Sequence, residues 1–348
     1  MKKRPASAAR RGESESFRLF CTNAETIIQS TNESESLQRN IPKPNQTLQR
    51  QIIELVSLKS ISLPADSFKN EGIFTMNNLI TRTLYGIIFA IVVVGSIFIS
   101  PILFAFLMLV VTIIGTSEMN RLFGYNQTTV FKYIPAFFSS LVSYCVIVLH
   151  AMGYIDAEFL FLLIFPLFFP FVHSLFSTKH NFTEIAAIHY ASVFFVAVPS
   201  ALTLYFYNTE FIGETAGPLL LLSVIGMIWV NDIFAYLIGS KLGRHRLYER
   251  ISPKKSWEGS IGGLLFTLGG AALYANLSGN LSVNQALSMA AIVVVFGSLG
   301  DLTESMLKRQ AGVKDSGNLI PGHGGILDRF DATFFAVPFV FVYLIIVQ

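Results

Sequence analysis

The chain has 348 residues, of which 52% are hydrophobic and 14% are charged, and its formal net charge is +3. Soluble globular domains carry about 25% charged residues, so this composition excludes an ordinary soluble domain, and the apolar content excludes a disordered chain. The two cysteines, Cys21 and Cys145, have no metal-ligand spacing and allow at most one bridge, which excludes a disulfide scaffold.

The first predicted element is a polar N-terminal extension over residues 1–75. It holds 11 of the 25 Lys and Arg residues and is rich in Ser, Asn and Gln, so we expect it to be disordered. Met76 stands shortly before the first apolar segment. It therefore offers an alternative translation start, and under that hypothesis the extension is a start-site artefact.

Nine apolar segments follow, each comparable to the about 20 residues with which a helix crosses a bilayer. They predict an all-α polytopic membrane protein with transmembrane helices at residues 84–100, 101–116, 133–152, 159–176, 185–207, 218–240, 260–276, 285–301 and 332–347. The first two segments meet at Ser100-Pro101, where proline removes a helix hydrogen bond and turns the chain. We divide the helices into an N-terminal membrane region, 76–228, and a catalytic membrane region, 229–348.

The basic residues predict the orientation of these helices. With a cytoplasmic N-terminus, all 25 Lys and Arg residues fall on the cytoplasmic side. The predicted external loops, 153–158, 208–217 and 277–284, contain none of them. Because Lys and Arg concentrate in cytoplasmic loops, we expect the N-terminus and the polar loops of the catalytic region to lie in the cytoplasm.

Acidic residues near the ends of these helices are candidate metal ligands, namely Asp232, Asp301, Glu304, Asp328 and Asp331. Three residues share a helix face with Asp301, at i+3, i+4 and i+7: Glu304, Ser305 and Lys308. Hard oxygen ligands beside Lys and Arg suit Mg²⁺ and a phosphorylated substrate better than zinc. The alternative is a charged helix end that forms salt bridges.

A glycine-rich segment, Pro321-Gly-His-Gly-Gly325, precedes Asp328. Its glycines, Gly322, Gly324 and Gly325, would let backbone N–H groups converge on a phosphate, and His323 could donate to a phosphate oxygen or transfer a proton. An ordinary tight turn is the alternative. The chain has no Walker sequence, G-x-G-x-x-G fingerprint or G-x-S-x-G elbow, which argues against a P-loop or Rossmann site and against a serine hydrolase.

The loop 241–259 is strongly basic. Ser252, Lys254 and Lys255, beside a proline-fixed turn, could hold a polyphosphate. We assign the other cations, Arg244, Arg246 and Arg250, to the positive-inside rule. We also assign the glycines in and around this loop to close helix packing: Gly239, Gly243, Gly259, Gly262, Gly263, Gly269 and Gly270.

The segment 305–331 resembles the signature of the bacterial phosphatidate cytidylyltransferases; it reads Ser-Met-Leu-Lys-Arg-Gln-Ala-Gly-Val-Lys-Asp-Ser-Gly-Asn-Leu-Ile-Pro-Gly-His-Gly-Gly-Ile-Leu-Asp-Arg-Phe-Asp. The Asp232 region and the segments 252–259 and 299–305 resemble the same family in the same order, so the resemblance covers roughly residues 76–348. One departure is Asn231, where a small residue is expected.

The resemblance implies that CTP and phosphatidate react to give CDP-diacylglycerol and pyrophosphate. It implies Mg²⁺, with room for a second cation, and a homodimer in the bacterial inner membrane with its active site on the cytoplasmic face. Membrane lipid is then a partner, and no nucleic acid is expected.

The implied roles form three groups. Metal ligation falls to Asp301, Asp328 and Asp331, with Asp232, Glu304 and Asp315 as further contributors. Neutralisation of the substrate phosphates falls to Lys308, Arg309, Lys314 and Arg329, beside His323. Substrate binding falls to Ser252, Lys254, Lys255, Ser305 and the glycines Gly322, Gly324 and Gly325.

Two alternatives of other kinds stay open. A transporter would use Asp232, Asp301 and Asp331 to carry ions, but it predicts polar residues across the bilayer midplane and repeat symmetry. A related enzyme that uses CTP on another lipid, such as a polyprenol kinase or an archaeal-type lipid cytidylyltransferase, is closer. The 305–331 segment favours phosphatidate over these lipids.

Overall fold

The computed structural model describes residues 67–123, 134–177, 181–213, 217–317, 319 and 324–347. The chain divides into two units, Met1–Gly72 and Ile73–Gln348. Of the first unit only residues 67–72 are described, and they begin the first helix. The predicted disorder of the extension otherwise falls on residues 1–66, which lie outside the described residues.

The described part of the chain contains eleven α-helices and one β-hairpin. The helices are α1 (Ser67–Ile99), α2 (Pro101–Leu122), α3 (Ile134–Ala151), α4 (Ile164–Phe176), α5 (Phe182–Tyr190), α6 (Val198–Leu202), α7 (Thr209–Ile212), α8 (Pro218–Leu242), α9 (Trp257–Ser278), α10 (Val283–Gln310) and α11 (Leu327–Val347). A 3₁₀ helix, Ala157–Leu163, leads into α4. A π-helix, Ala191–Ala197, joins α5 to α6, and a 3₁₀ helix, Thr203–Tyr207, follows α6.

Seven helical segments in the described part of the chain are long and apolar enough to cross a bilayer, and two shorter apolar helices, Thr83–Ile99 and Pro135–Ala151, accompany them. Each of the nine predicted segments coincides with one of these. The chain is therefore a multi-pass, all-α membrane protein, and this prediction is confirmed.

Helix boundaries follow from local capping chemistry. Ser100 accepts a hydrogen bond from Ile102 N at 3.2 Å and Pro101 begins α2, so the predicted break between the first two spans is confirmed. At the start of α10, Ser282 and Gln285 form a capping box that satisfies two terminal N–H groups. The helix then continues to Gln310, beyond the predicted end of the span at 301, so its last turns carry the charged residues.

The segment after α8 differs from the predicted loop. Strands β1 (Arg246–Tyr248) and β2 (Ser252–Ser256) pair as an antiparallel hairpin. The pattern of polar residues over 252–256 has no apolar alternation, which is why it does not predict a strand. Lys254 and Lys255 therefore lie on a strand whose backbone is paired with β1.

Glycines bring α8 and α9 together at this end. A Cβ at Gly259 would lie 2.6 Å from Ala235 O and 3.0 Å from Gly239 Cα, so only glycine allows this approach. The packing role predicted for Gly239, Gly243, Gly259, Gly262 and Gly263 is confirmed. For Gly269 and Gly270 it is wrong, since no atom of the described structure lies within 4 Å of a Cβ built there.

Candidate functional site

A cavity of about 640 Å³ lies between α8, the hairpin and α10. Asp232 from α8 and Asp301 from α10 both line it. Lys255 of β2 places its Nζ 2.5 Å from Asp301 Oδ2. Asp232 interacts electrostatically with both of these residues. The cavity therefore brings together two carboxylates and one ammonium group that the sequence analysis had selected from three separate segments.

Other polar side chains line the same cavity. Lys254 and Arg246 are exposed on the hairpin, and Tyr236 of α8 is 74% exposed. We had assigned Arg246 to membrane topology and had not singled out Tyr236. Ser252 lies in β2 but is not among the described residues that line the cavity. The cavity wall thus carries more positive charge than the sequence analysis assigned to substrate binding.

The hairpin is anchored to the start of α9. Glu258 accepts hydrogen bonds from the backbone N–H of His245, at 3.1 and 3.2 Å, and its Oε1 lies 2.6 Å from His245 Nδ1. Ser256 caps the helix by accepting from Gly259 N at 3.2 Å. These contacts fix both ends of the segment that carries Lys254 and Lys255.

A second charged cluster is buried between α10 and α11. Lys308 forms ion pairs with Glu304, one turn earlier in α10, and with Asp328 Oδ1, at 2.6 Å. The Glu304 side chain is fully buried, and that of Lys308 is 11% exposed. Lys308 therefore neutralises carboxylates inside the protein, which is the salt-bridge alternative considered for this helix end.

Asp328 is also held by the segment that precedes α11. Its Oδ2 accepts hydrogen bonds from Ser316 N and Ser316 Oγ, both at 2.9 Å, and from Gly325 N at 2.8 Å. Gly324 has φ +79°, and a Cβ there would lie 2.6 Å from the same oxygen. Gly324 and Gly325 therefore lie against the Asp328 carboxylate, and the Gly325 N–H donates to this carboxylate rather than to a bound phosphate.

Asp331 is a further carboxylate, carried by α11. It interacts electrostatically with Asp301, Glu304 and Asp232, and its Oδ1 accepts from Ala332 N at 2.7 Å. Close packing produces this placement, because a Cβ at Gly300 would collide with the main-chain oxygen of Asp331. Asp331 thus links the cavity to the buried cluster.

Glu118 of α2 is a site residue that the sequence analysis missed. Its side chain is buried, and it accepts hydrogen bonds from Ser316, Ile326 and Leu327. We had ended the second span at residue 116, which placed Glu118 in a loop. A carboxylate one turn before the end of a membrane helix is the signal that could have found it.

The donors suit a hard cation, although they do not enclose one. Within the described residues, no three Asp, Glu, His or Cys side chains come together as a metal-binding group. Mg²⁺ is commonly held by one or two carboxylates plus substrate phosphates, and Asp232 and Asp301 supply such a pair. The ammonium group of Lys255 occupies Asp301 in the structure.

Residues 80–347 match the cytidylyltransferase family. The chain belongs to this family. A phosphatidate cytidylyltransferase of Haemophilus influenzae is 46% identical over 128 residues, which are 35% of this chain and 44% of the relative. One of Staphylococcus aureus is 43% identical over 143 residues, 41% of this chain and 54% of the relative. The chain thus spans about half the length of the curated relatives that it matches.

The remaining predicted residues lie apart from the cavity wall or outside the described residues. Arg309 is exposed and donates to Val313 O at 3.2 Å, and Lys314 and Asp315 are exposed. Arg329 is exposed and interacts electrostatically with Asp232. Ser305 donates to Asp301 Oδ1 at 3.3 Å. Gly322 and His323 fall outside the described residues, so their roles stay predictions.

Proposed function

We propose that this chain is a phosphatidate cytidylyltransferase, which converts CTP and phosphatidate into CDP-diacylglycerol and pyrophosphate. The observation that carries the proposal is the cavity in which Asp232, Asp301 and Lys255 meet among membrane-spanning helices. Membership of the cytidylyltransferase family and the names of the relatives supply the nucleotide and the lipid. A lipid substrate explains why a nucleotidyl transfer site is built from apolar helices.

The reaction requires alignment and charge neutralisation more than covalent chemistry. A phosphate oxygen of phosphatidate attacks the α-phosphorus of CTP, the bond between the α-phosphorus and its bridging oxygen breaks, and pyrophosphate leaves. Charge on the triphosphate must be balanced throughout this displacement. Lys254, Lys255 and Arg246 line the cavity and would supply that balance.

Mg²⁺ is part of the proposal, and Asp232 and Asp301 would hold it, with Asp331 beside them. When bound, it would supply electrostatic stabilisation of the transferring cytidylyl group and the leaving pyrophosphate. Lys255 would then move its ammonium group from Asp301 to a substrate phosphate. The metal roles of Glu304 and Asp328 stay predictions, and they require both carboxylates to be released from Lys308.

We place the protein in a bacterial inner membrane with the cavity on the cytoplasmic side. The support is the distribution of Lys and Arg, which are absent from the predicted external loops at 153–158, 208–217 and 277–284. From the family resemblance we also propose that the protein is a homodimer, and light scattering of the detergent-purified protein would test this.

The deciding experiment supplies detergent-purified full-length protein with phosphatidate, Mg²⁺ and CTP labelled at the α-phosphate. We expect label in the lipid fraction as CDP-diacylglycerol, and we expect EDTA and Asp301→Asn each to abolish it. Asp156→Asn is the matched control, because Asp156 lies in a predicted external loop and makes no side-chain cap bond. If folded wild-type protein transfers no label to the lipid fraction, the proposal is overturned.

A further inference from the structure

Glu118 stands out as a buried carboxylate, 4% exposed, whose partners all lie about 200 residues later in the sequence. We propose that Glu118 is a positioning residue, which fixes the segment formed by residues 316, 317 and 324–327, and with it the start of α11, relative to the cavity. The inference rests on the proposed function, because α11 carries Asp328, Arg329 and Asp331 into the site.

Three hydrogen bonds hold the segment to Glu118. Oε1 accepts from Ile326 N at 3.0 Å, and Oε2 accepts from Leu327 N at 2.9 Å and from Ser316 Oγ at 2.9 Å. Ile326 and Leu327 provide N–H groups at the N-terminus of α11, where a helix has no internal acceptors. A carboxylate also complements the positive end of the helix dipole. Helix α2 therefore supplies the cap of α11 from a distant part of the chain.

Gly317 and Gly325 both approach this carboxylate closely. A Cβ at Gly317 would collide with Glu118 Oε1 and lie 3.2 Å from Gly325 Cα. A Cβ at Gly325 would lie 2.5 Å from Glu118 Oε1. The two glycines thus leave room for the carboxylate, and Glu118 holds residues 316 and 317 beside residues 325–327.

Ser316 connects Glu118 to the charged cluster. Its hydroxyl oxygen lies 2.9 Å from both Glu118 Oε2 and Asp328 Oδ2, and Asp328 Oδ1 accepts from Lys308. A shift of the segment would therefore move Asp328 and the first turn of α11 together. Asp331 lies in the next turn of α11 and interacts electrostatically with Asp301 and Asp232.

The chemistry of this site distinguishes glutamate from its isostere. Glutamine offers one carbonyl oxygen and one amide donor group, whereas two backbone N–H groups donate to Glu118 and the single hydroxyl hydrogen of Ser316 is shared between Glu118 and Asp328. In Glu118→Gln, the amide NH₂ would face a backbone N–H or the Ser316 hydroxyl, and a terminal N–H of α11 would lose its acceptor. The variant keeps the volume of the side chain and removes at least one of the backbone hydrogen bonds that Glu118 accepts from Ile326 and Leu327.

The first arm of the test measures steady-state kinetics of the full chain per folded molecule, with folding scored by size-exclusion chromatography. We expect Glu118→Gln to lower kcat about 10- to 100-fold, the usual effect of misplacing supporting groups. KM for CTP should change little, because the hairpin lysines are untouched. Thr116→Val is the matched control, since Thr116 is buried in α2 and its hydroxyl has no hydrogen-bond partner among the described residues.

The second arm measures amide hydrogen exchange of the peptide that contains Ile326 and Leu327, without substrate. We expect the amides of this peptide to exchange faster in Glu118→Gln than in the wild type. In Thr116→Val their exchange rates should equal those of the wild type. Unchanged exchange, or faster exchange with unchanged kcat per folded molecule, would overturn the inference. If wild-type protein forms no CDP-diacylglycerol, the proposed function fails, and the exchange arm alone decides whether Glu118 holds the segment.

Discussion

The cavity and the buried cluster contain the same kinds of charged residue but differ in their surroundings. Lys255 and Asp301 have side chains that are 28% and 33% exposed and line open space. Lys308 and Glu304 are 11% and 0% exposed, and Lys308 also binds Asp328. The difference indicates that the first pair can exchange its partner for a substrate or a cation, whereas the second pair holds α10 and α11 together.

Lys308→Met should give the largest effect, because it leaves buried carboxylates without their cation. Removing one member of a buried ion pair lowers the free energy of unfolding by about 3–5 kcal/mol. Thermal unfolding of the detergent-purified protein, followed by size-exclusion chromatography, would measure this loss. Lys241→Met, at an exposed position in the last turn of α8, is the matched control. A wild-type unfolding temperature in Lys308→Met would break the comparison.

Lys255→Met should separate activity from stability. We expect turnover to fall about 100-fold, since an electrostatic group at the reacting phosphates is lost. The free energy of unfolding should fall by about 1 kcal/mol or less, because the ion pair is partly exposed. Initial rates and thermal unfolding of the same preparation would check both values. Equal losses in Lys255→Met and Lys308→Met would show that the two regions do not differ.

Gly325→Ala should destabilise the buried cluster by about 1–3 kcal/mol, because the added methyl group meets the Glu118 carboxylate. Gly270→Ala is the control, because it makes the same Gly-to-Ala change at an open position of α9. Its Cβ would meet nothing within 4 Å, and alanine favours a helix by about 0.8–1 kcal/mol. Unfolding temperatures should therefore shift in opposite directions, and a parallel shift would contradict the packing around Glu118.

Arg246→Gln should give the smallest effect. Arg246 is exposed at the cavity, so we expect KM for CTP to rise about threefold, and salt to reduce the difference because exposed charges are screened. KM measured at low and at 0.5 M salt would test this. A KM that is unchanged at low salt would remove Arg246 from the substrate site.

The membrane helices could be predicted because hydropathy is a local property. All nine segments correspond to helices, and the spacing of Asp301, Glu304, Ser305 and Lys308 gave their common helix face. The structure shows the resulting contacts between Ser305 and Asp301 and between Lys308 and Glu304. These contacts lie within one helix, where sequence spacing determines distance.

The division of charges between cavity and cluster could not be predicted, because it depends on contacts between distant segments. Lys255 precedes one membrane span and Lys308 follows another. Only the packing of the helices determines that Lys255 pairs with Asp301 and Lys308 with Asp328. Glu118 was missed for the same reason, since Ser316 lies 198 residues away. The β-hairpin was missed because its polar residues lack an alternating pattern.

The hydrogen bonds of Glu118 have a consequence for biosynthesis. At a translation rate of about 5–20 residues per second, the carboxylate is made about 10–40 s before Ser316, Ile326 and Leu327 exist to bind it. An unpaired buried charge is costly, so we expect the end of α2 to stay hydrated at the membrane surface during that interval. We therefore expect final closure of the bundle to follow the insertion of the last two helices, α10 and α11.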